Sequence, residues 1–238
     1  MRKKITILLV LVFLLTLCSA AASEENLAQG NWVYAIENGE ATILWSTGGK
    51  GIVEMFPAQL GGAPVTTIGN GTVNVSTNNK TANNFVLVPE GVKLFNTMAI
   101  YDYNDTAGWS FPADITFGEN ATKSISGTFF CAAGSPAETY AQKIGSKVSN
   151  ETGNAFTATA GDGGYILPNG KYSLPAAMLG GGYSVSFSIK ADIGYKIKSL
   201  TVDGAEKSDA AGKTEYSFQY SFSSASKSVA VVFEANPD

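Results

Sequence analysis

Large apolar and small polar side chains alternate with a period of two in the last third of this chain. Tyr183, Val185, Phe187 and Ile189 are separated by serines. The same period recurs at Tyr216, Phe218, Tyr220 and Phe222, and at Val229, Val231 and Phe233. Successive side chains of a β-strand point to opposite faces, so each predicted strand has one buried and one solvated face. Residues 155–238 are therefore predicted to form a small all-β domain.

Shorter strands are predicted in the N-terminal half, separated by glycine and proline. Residues 32–36 and 41–45 are rich in β-branched and aromatic side chains. They flank an Asn-Gly pair, which is typical of a β-hairpin turn. In residues 61–71, GGAPVTTIGNG, one short strand stands between glycines.

Three five-residue segments share the order apolar residue, proline, two variable residues, apolar residue. They are FPAQL from Phe56, VPEGV from Val88 and FPADI from Phe111, spaced by 32 and 23 residues. The second spacing lies within the ~20 to 29 residues of a leucine-rich repeat, and the first requires an insertion. The polar tract of residues 70–84 is the predicted insertion.

One helix is predicted in the segment GSPAETYAQKIG. Ser135 is the expected N-cap, Pro136 the first helical residue, and Glu138 completes a Ser-x-x-Glu capping box. Gly145 is expected to end the helix in a left-handed conformation. The residues at i, i+3, i+4 and i+7 form the apolar face: Ala137, Tyr140, Ala141 and Ile144.

The N-terminus has the pattern of a secretory signal peptide over residues 1–22. Arg2, Lys3 and Lys4 precede an apolar run that is shorter than the ~20 residues needed to cross a bilayer. No second run of that kind follows, so no membrane span is expected after cleavage; an uncleaved anchor is the alternative. Residues 23–31 and 149–154 are interpreted as linkers that flank a first domain of residues 32–148.

The motifs of the first domain resemble those of the BspA-like leucine-rich repeat family of cell-surface proteins. Residues 62–69 read Gly-x-Pro-Val-Thr-x-Ile-Gly, residues 86–92 read Val-x-Val-Pro-Glu-Gly-Val, and residues 133–141 read AGSPAETYA. The resemblance covers about residues 32–145. It implies a short β solenoid in which Val65 and Ile68 are buried against neighbouring rungs. The hairpin and the helix are then expected to cover its two ends.

The second domain is similar to the divergent B-repeat modules of internalin-type surface proteins. The matching residues are Gly164, Ile166, Pro168, Gly170, Phe187, Ile189, residues 194–204, Tyr216 and Phe233. The similarity implies a spacer or adhesive β module and carries no catalytic residues. The predicted fold class is mainly β: a short leucine-rich-repeat-like β solenoid with one terminal helix, followed by a small all-β module.

Composition argues against several classes of function. The chain has no histidine, the usual general base at neutral pH and the commonest zinc ligand. Cys131 is the only cysteine left after signal cleavage, and its apolar neighbours favour a buried thiol. The net charge is −4 and the lysines are scattered, so nucleic-acid binding has little support. No catalytic residue or cofactor is identified; a hydrolase with a lysine base is a distant alternative.

Two kinds of candidate site remain. Asp102, Asn104 and Asp105 offer oxygen ligands for calcium but lack the spacing of a calcium loop, so a solvated turn is the favoured interpretation. Asn-x-Ser/Thr triplets are candidate glycan acceptors of an exported protein. They begin at Asn70, Asn74, Asn79, Asn104, Asn120 and Asn150.

These observations predict an exported, non-enzymatic protein of the cell surface or medium that serves in binding, adhesion or display. Its partner is an extracellular protein or glycan that the sequence does not identify. The alternative is a secreted carbohydrate-binding module with exposed aromatics. That alternative requires at least two of Trp32, Trp45 and Trp109 to be exposed on one face, whereas the first hypothesis predicts them mostly buried.

Overall fold

In a computed structural model of the chain, the described residues are 26–47, 53–69, 85–96, 108–119, 121, 127–151, 153–179 and 182–237. The predicted signal peptide and the polar tract of residues 70–84 lie outside these ranges. The described part is mainly β, as predicted, with several sheets and one α-helix. No helix in these ranges is long and apolar enough to cross a membrane.

The first sheet combines the predicted hairpin with a parallel ladder. Its spatial order is β1-β2-β3-β6-β8-β10, with β5 paired to β6. Asn38 and Gly39 have φ of 52° and 81°, so the Asn-Gly turn between β2 and β3 is confirmed. From β3 to β10 the neighbouring strands run parallel. The strands are β1 Leu27–Gln29, β2 Trp32–Glu37, β3 Glu40–Ser46, β5 Gln59–Leu60, β6 Ala63–Ile68, β8 Leu94–Phe95 and β10 Thr116–Phe117.

The second sheet is wholly parallel and has the order β12-β11-β9-β7-β4. From β3 to β11 the chain alternates between the two sheets: β3, β6, β8 and β10 belong to the first sheet, and β4, β7, β9 and β11 belong to the second. The strands are β4 Val53–Met55, β7 Phe85–Leu87, β9 Gly108–Ser110, β11 Thr128–Phe130 and β12 Lys147–Ser149.

The three proline-containing segments occupy equivalent corners between the two sheets. Phe56, Val88 and Phe111 each donate a backbone N–H to the next strand of the second sheet, at the carbonyls of Leu87, Ser110 and Phe130. The apolar residues at both ends of every segment are at most 3% exposed: Phe56 and Leu60, Val88 and Val92, Phe111 and Ile115. The shared sequence pattern thus corresponds to a shared buried corner.

The predicted helix is α1, Pro136–Ile144. Ser135 Oγ accepts the N–H of Glu138, as the capping box requires, whereas the Glu138 carboxylate accepts the N–H of Gly134 instead of that of the N-cap. Gly145 ends the helix with φ of 74°. The helix packs on β10, β11 and β12, which places it over the last strands of both ladders.

Residues 155–237 form two antiparallel or mixed sheets, in agreement with the alternating pattern. Their orders are β15-β13-β20-β17-β18 and β14-β16-β19. The strands are β13 Ala155–Ala160, β14 Gly164–Leu167, β15 Gly170–Ser173, β16 Ser184–Ala191, β17 Tyr195–Val202, β18 Ala205–Glu206, β19 Glu215–Ser221 and β20 Ser228–Ala235. Two 3-10 helices, Ala176–Met178 and Ser208–Ala210, lie between strands.

The predicted Asp-Gly turn is fixed by the Asp203 carboxylate. Asp203 and Gly204 have φ of 50° and 85°. Asp203 Oδ1 accepts the N–H groups of Lys227 and Ser228 at 2.7 and 3.0 Å. Asp203 Oδ2 accepts the hydroxyl of Tyr220 at 2.8 Å. Burial, followed by this hydrogen bond, raises the pKa of Tyr220. The carboxylate therefore ties two strands to the turn.

Two hydrophobic clusters fill the described part, and the boundary between them does not coincide with the predicted linker. Tyr140 lies in the first cluster and Phe187 in the second. However, Val53, Met55 and Phe85, all from the second sheet, belong to the cluster that fills residues 155–237. The two halves of the chain therefore share one of their cores.

Hydrogen bonds across the same interface connect the two halves. The Tyr172 hydroxyl donates to the carbonyl oxygen of Phe56 at 2.7 Å. Asn169 accepts the N–H of Gln59 on Oδ1 at 2.8 Å and returns a bond from Nδ2 to the Gln59 carbonyl at 3.1 Å. The predicted linker of residues 149–154 begins at the last residue of β12 and ends before β13. That the halves fold independently stays a prediction.

Candidate functional site

Most of the sequence-predicted site residues lie outside the described ranges. The calcium candidates Asp102, Asn104 and Asp105 are all outside them. So are five of the six glycan-acceptor candidates: Asn70, Asn74, Asn79, Asn104 and Asn120. Asn150 is described and exposed, and its Nδ2 donates to the Cys131 carbonyl at 3.1 Å. Within the described ranges, no group of three or more His, Cys, Asp or Glu side chains is arranged to hold a metal ion.

Cys131 is buried, as predicted, and follows β11 directly. Its N–H donates to the Ser149 carbonyl on the next strand, which repeats the hydrogen bond that Phe56, Val88 and Phe111 make. Cys131 therefore occupies the fourth position of the corner series. Burial raises the pKa of its thiol. Both observations support a packing role for this side chain.

The three tryptophans do not form an exposed platform. Trp32 is 5% exposed and Trp109 is fully buried, and only Trp45 reaches 37%. Trp32 packs on Phe56 with 5.2 Å between ring centroids, and Trp109 stacks on Phe111 at 5.9 Å. Two of the three rings therefore belong to the core of the first half.

Glu54 interrupts an apolar row on β4, the last strand of the second sheet within the described residues. Register places Glu54, Val86, Trp109, Phe129 and Val148 side by side on adjacent strands. Val86, Trp109 and Phe129 are at most 1% exposed and fill the first cluster. On β4 the flanking Val53 and Met55 belong to the second cluster, so Glu54 points to the opposite face of the strand, where its row is otherwise apolar.

A cavity of about 550 Å³ lies beside Glu54, between the two halves of the chain. Part of its lining is formed by Glu54 and by residues 30–32, which include Trp32. The rest of the lining comes largely from the exposed faces of β16 and β19, where register pairs Ser186 with Gln219 and Ser188 with Ser217. Its neutral polar lining residues are Asn31, Ser184, Ser186, Ser188, Ser217 and Gln219.

Glu54 is the only ionisable residue in this lining. Burial raises the pKa of its carboxyl from an ordinary value of 4.5 to about 7. Glu54 as a whole residue is partly exposed and lines the cavity. The carboxyl thus changes its charge near neutral pH in a cavity whose other polar groups are uncharged.

Sequence reasoning missed Glu54, although the repeats contain a signal for it. When the three corner segments are aligned on Pro57, Pro89 and Pro112, the residues three positions earlier are Glu54, Val86 and Trp109. A charged residue in a column that is otherwise large and apolar is a departure that function can explain. The cavity-lining serines of β16 and β19 gave no such signal, because solvated strand faces are commonly rich in serine.

Comparisons with known proteins identify no relative of this chain. No protein-family model matches it, and neither a curated protein nor a solved structure does.

Proposed function

We propose that this chain is an exported, non-enzymatic protein that binds an extracellular partner or is displayed at the cell exterior. Its first half is proposed to be a short leucine-rich-repeat-like β solenoid of the BspA type, and its second half a B-repeat-like module packed against it. The N-terminal sequence supports export, because a basic start and a short apolar run are followed by small residues.

The observation that carries the proposal is the pair of parallel ladders. Successive strands of the chain alternate between the two sheets, and each return passes through an equivalent buried corner at Phe56, Val88 or Phe111. Repeats that stack in one direction build an extended surface from short units, and such surfaces commonly serve in binding. The second half covers the outer side of one ladder, so the other ladder is the surface left for a partner.

The outward row of the uncovered ladder is neutral. Register aligns Thr42, Thr67, Leu94 and Thr116 on neighbouring strands, while the alternate row of Ile43, Ile68 and Phe95 is fully buried. Thr116 is exposed and the other three are partly exposed. The runner-up, a carbohydrate-binding module with exposed aromatics, has weaker support because Trp45 alone of the three tryptophans is exposed.

Export is tested by fractionating the producing cells and sequencing the N-terminus of the protein in each fraction. The proposal expects the chain in the medium or on the surface, with a new N-terminus near residue 23. An intact N-terminus on a protein confined to the cytoplasm would contradict it. Binding is tested by presenting the mature chain to arrayed extracellular proteins and glycans. Saturable binding that is lost on heat denaturation is expected, and turnover of the bound ligand would argue for an enzyme instead.

A further inference from the structure

We propose that the cavity between Glu54 and the serine-lined face of β16 and β19 binds an amino sugar, with the sugar ammonium at the Glu54 carboxylate and its hydroxyls on the serines. This inference rests on the proposed binding function and names a ligand class for it.

Glu54 is a carboxylate in a row of otherwise apolar residues. Its row continues through Val86, Trp109 and Phe129, where burial favours apolar side chains, so packing alone does not account for a carboxylate. No described residue donates a hydrogen bond to the Glu54 carboxyl or forms an ion pair with it. A ligand ammonium would supply both the missing charge and the missing donors.

Trp32 adds a second feature that suits a cation. Trp32 is one of the residues that line the same cavity as Glu54, and its ring packs on Phe56. An ammonium group is attracted to the face of an indole ring as well as to a carboxylate. Carboxylate and aromatic ring together therefore favour a cation over a neutral or anionic ligand.

The polar side chains of β16 and β19 favour one kind of cation over another. Ser186, Ser188, Ser217 and Gln219 lie on the exposed faces of β16 and β19 and present hydroxyl and amide groups to the cavity. The methylene stem of a lysine side chain would gain nothing from these groups. A sugar ring carries several hydroxyls that donate and accept hydrogen bonds. An amino sugar can therefore pair its ammonium with the Glu54 carboxylate and its hydroxyls with the serine and glutamine side chains. The volume of about 550 Å³ is within the ~300 to 1,000 Å³ of small-molecule sites.

The affinity for an ammonium ligand should depend on pH, because protonation of Glu54 removes the charge that attracts it. The ionisable residues elsewhere on the surrounding elements do not line the cavity. They are Tyr34 and Glu37 of β2, Tyr165 of β14, Lys190 of β16, and Glu215, Tyr216 and Tyr220 of β19. Lys190 is paired with Glu215 at 2.9 Å. The pH dependence of binding below pH 7 should therefore follow the Glu54 carboxyl, whose pKa is about 7.

The experiment titrates the mature chain with D-glucosamine and follows amide and indole resonances by NMR. D-glucose, N-acetyl-D-glucosamine and cadaverine are titrated in parallel. Glucosamine is expected to bind about tenfold to a hundredfold more tightly than glucose, as for a charge-assisted hydrogen bond, and to shift Ser186, Ser188 and Trp32. Its affinity should fall about fivefold from pH 7 to pH 6, because protonation removes the Glu54 carboxylate.

Two variants and a control complete the design. Glu54→Gln keeps the shape of the side chain and should abolish the preference for glucosamine over glucose. Ser186→Val should weaken glucosamine while leaving cadaverine unchanged. Glu37→Gln removes an exposed carboxylate from β2, outside the cavity, and should bind like the parent.

Equal binding of glucosamine and glucose, or equal binding of glucosamine and cadaverine, would overturn the proposal. So would unchanged glucosamine affinity in a folded Glu54→Gln variant. If that variant instead self-associates while sugars have no effect on the parent, Glu54 guards the free edge of β4 against pairing with another strand, and the binding proposal is wrong. Any of these results leaves the export and binding tests of the proposed function unaffected.

Discussion

The ring of Tyr140 lies parallel to the ring of Phe117, with 4.1 Å between the centroids and 5° between the planes. Tyr140 belongs to α1, and Phe117 to β10, the last strand of the first sheet. The helix was predicted to lay Tyr140 over the last rung of a repeat array; the structure places it on β10, and the repeat array itself stays a proposal. The stack buries one side of a strand that has no further strand beside it within the described residues.

Truncating Tyr140 is predicted to destabilise the fold, whereas removing its hydroxyl is not. Tyr140 is 8% exposed, and its hydroxyl has no hydrogen-bond partner among the residues that the structure describes. Tyr140→Ala should cost about 3 kcal/mol and lower the Tm by about 6–12 °C in a chain of this size. Tyr140→Phe should leave the Tm unchanged or raise it, because a buried unpaired hydroxyl costs free energy. Thermal melts of both variants test this, and equal losses of Tm would contradict it.

Tyr172 is predicted to stabilise the contact between the two halves through its hydroxyl. The single hydroxyl proton of Tyr172 lies between the Phe56 carbonyl at 2.7 Å and the Asn169 carbonyl at 2.5 Å, and Tyr172→Phe removes this donor from both acceptors. The expected loss is about 1–3 kcal/mol of unfolding free energy in urea titrations. Glu90→Gln is the control. Glu90 pairs with Lys171 across the same interface, but both side chains are about half exposed, so the change should stay within about 0.5 kcal/mol.

Cleavage between the halves is predicted not to separate them under native conditions. A protease that cuts within residues 150–154 should leave two fragments that co-elute in size-exclusion chromatography. Val53, Met55, Phe85 and Leu87 would otherwise lose their cover from the second cluster. Urea should then release both fragments. Separate elution in native buffer would show that the interface is too weak to join two folded units.

Glu54 is predicted to make the fold less stable as pH rises. Its pKa is about 7 in the folded state against an ordinary 4.5, so the folded state binds the proton more tightly. This contribution is fully present below pH 4.5 and is lost as the pH rises through 7. Between pH 5 and pH 8, the stability of Glu54→Gln relative to the parent should increase by about 1–3 kcal/mol, the lower part of the range reflecting partial exposure. Denaturation curves at both pH values check this, and a constant difference would exclude it.

Local signals accounted for the elements that the sequence predicted well. The Asn38-Gly39 turn and the Ser135 cap depend on residues that are neighbours in sequence. The alternation in residues 183–189 likewise identified a strand, because its buried and exposed positions follow directly from the period of two. Such features need no knowledge of what packs against them.

The interface between the halves was not predictable in the same way. Val53 and Met55 flank Glu54, and Phe85 and Leu87 flank Val86, so β7 is apolar on both faces. Such a pattern indicates that both faces are covered but not what covers the second. The burial of Cys131 was predicted, but its place in the corner series was not. Cys131 occupies a corner equivalent to that of Phe111, yet no proline follows it as in the other three segments.

The proposed binding of a partner at the cell exterior is measured most directly by adding fluorescently labelled mature chain to intact producing cells and to their shed extracellular material. Saturable binding is expected, and unlabelled chain should compete for it whereas heat-denatured chain should not. Thr67→Lys on the uncovered ladder should weaken the binding at least tenfold, the order expected when a charge is buried in an interface. Thr214→Lys is the matched control, because Thr214 is exposed, precedes β19 in the second half and is not part of the ladder. Binding that does not saturate, or that survives denaturation, would show that the folded chain has no specific partner on these cells.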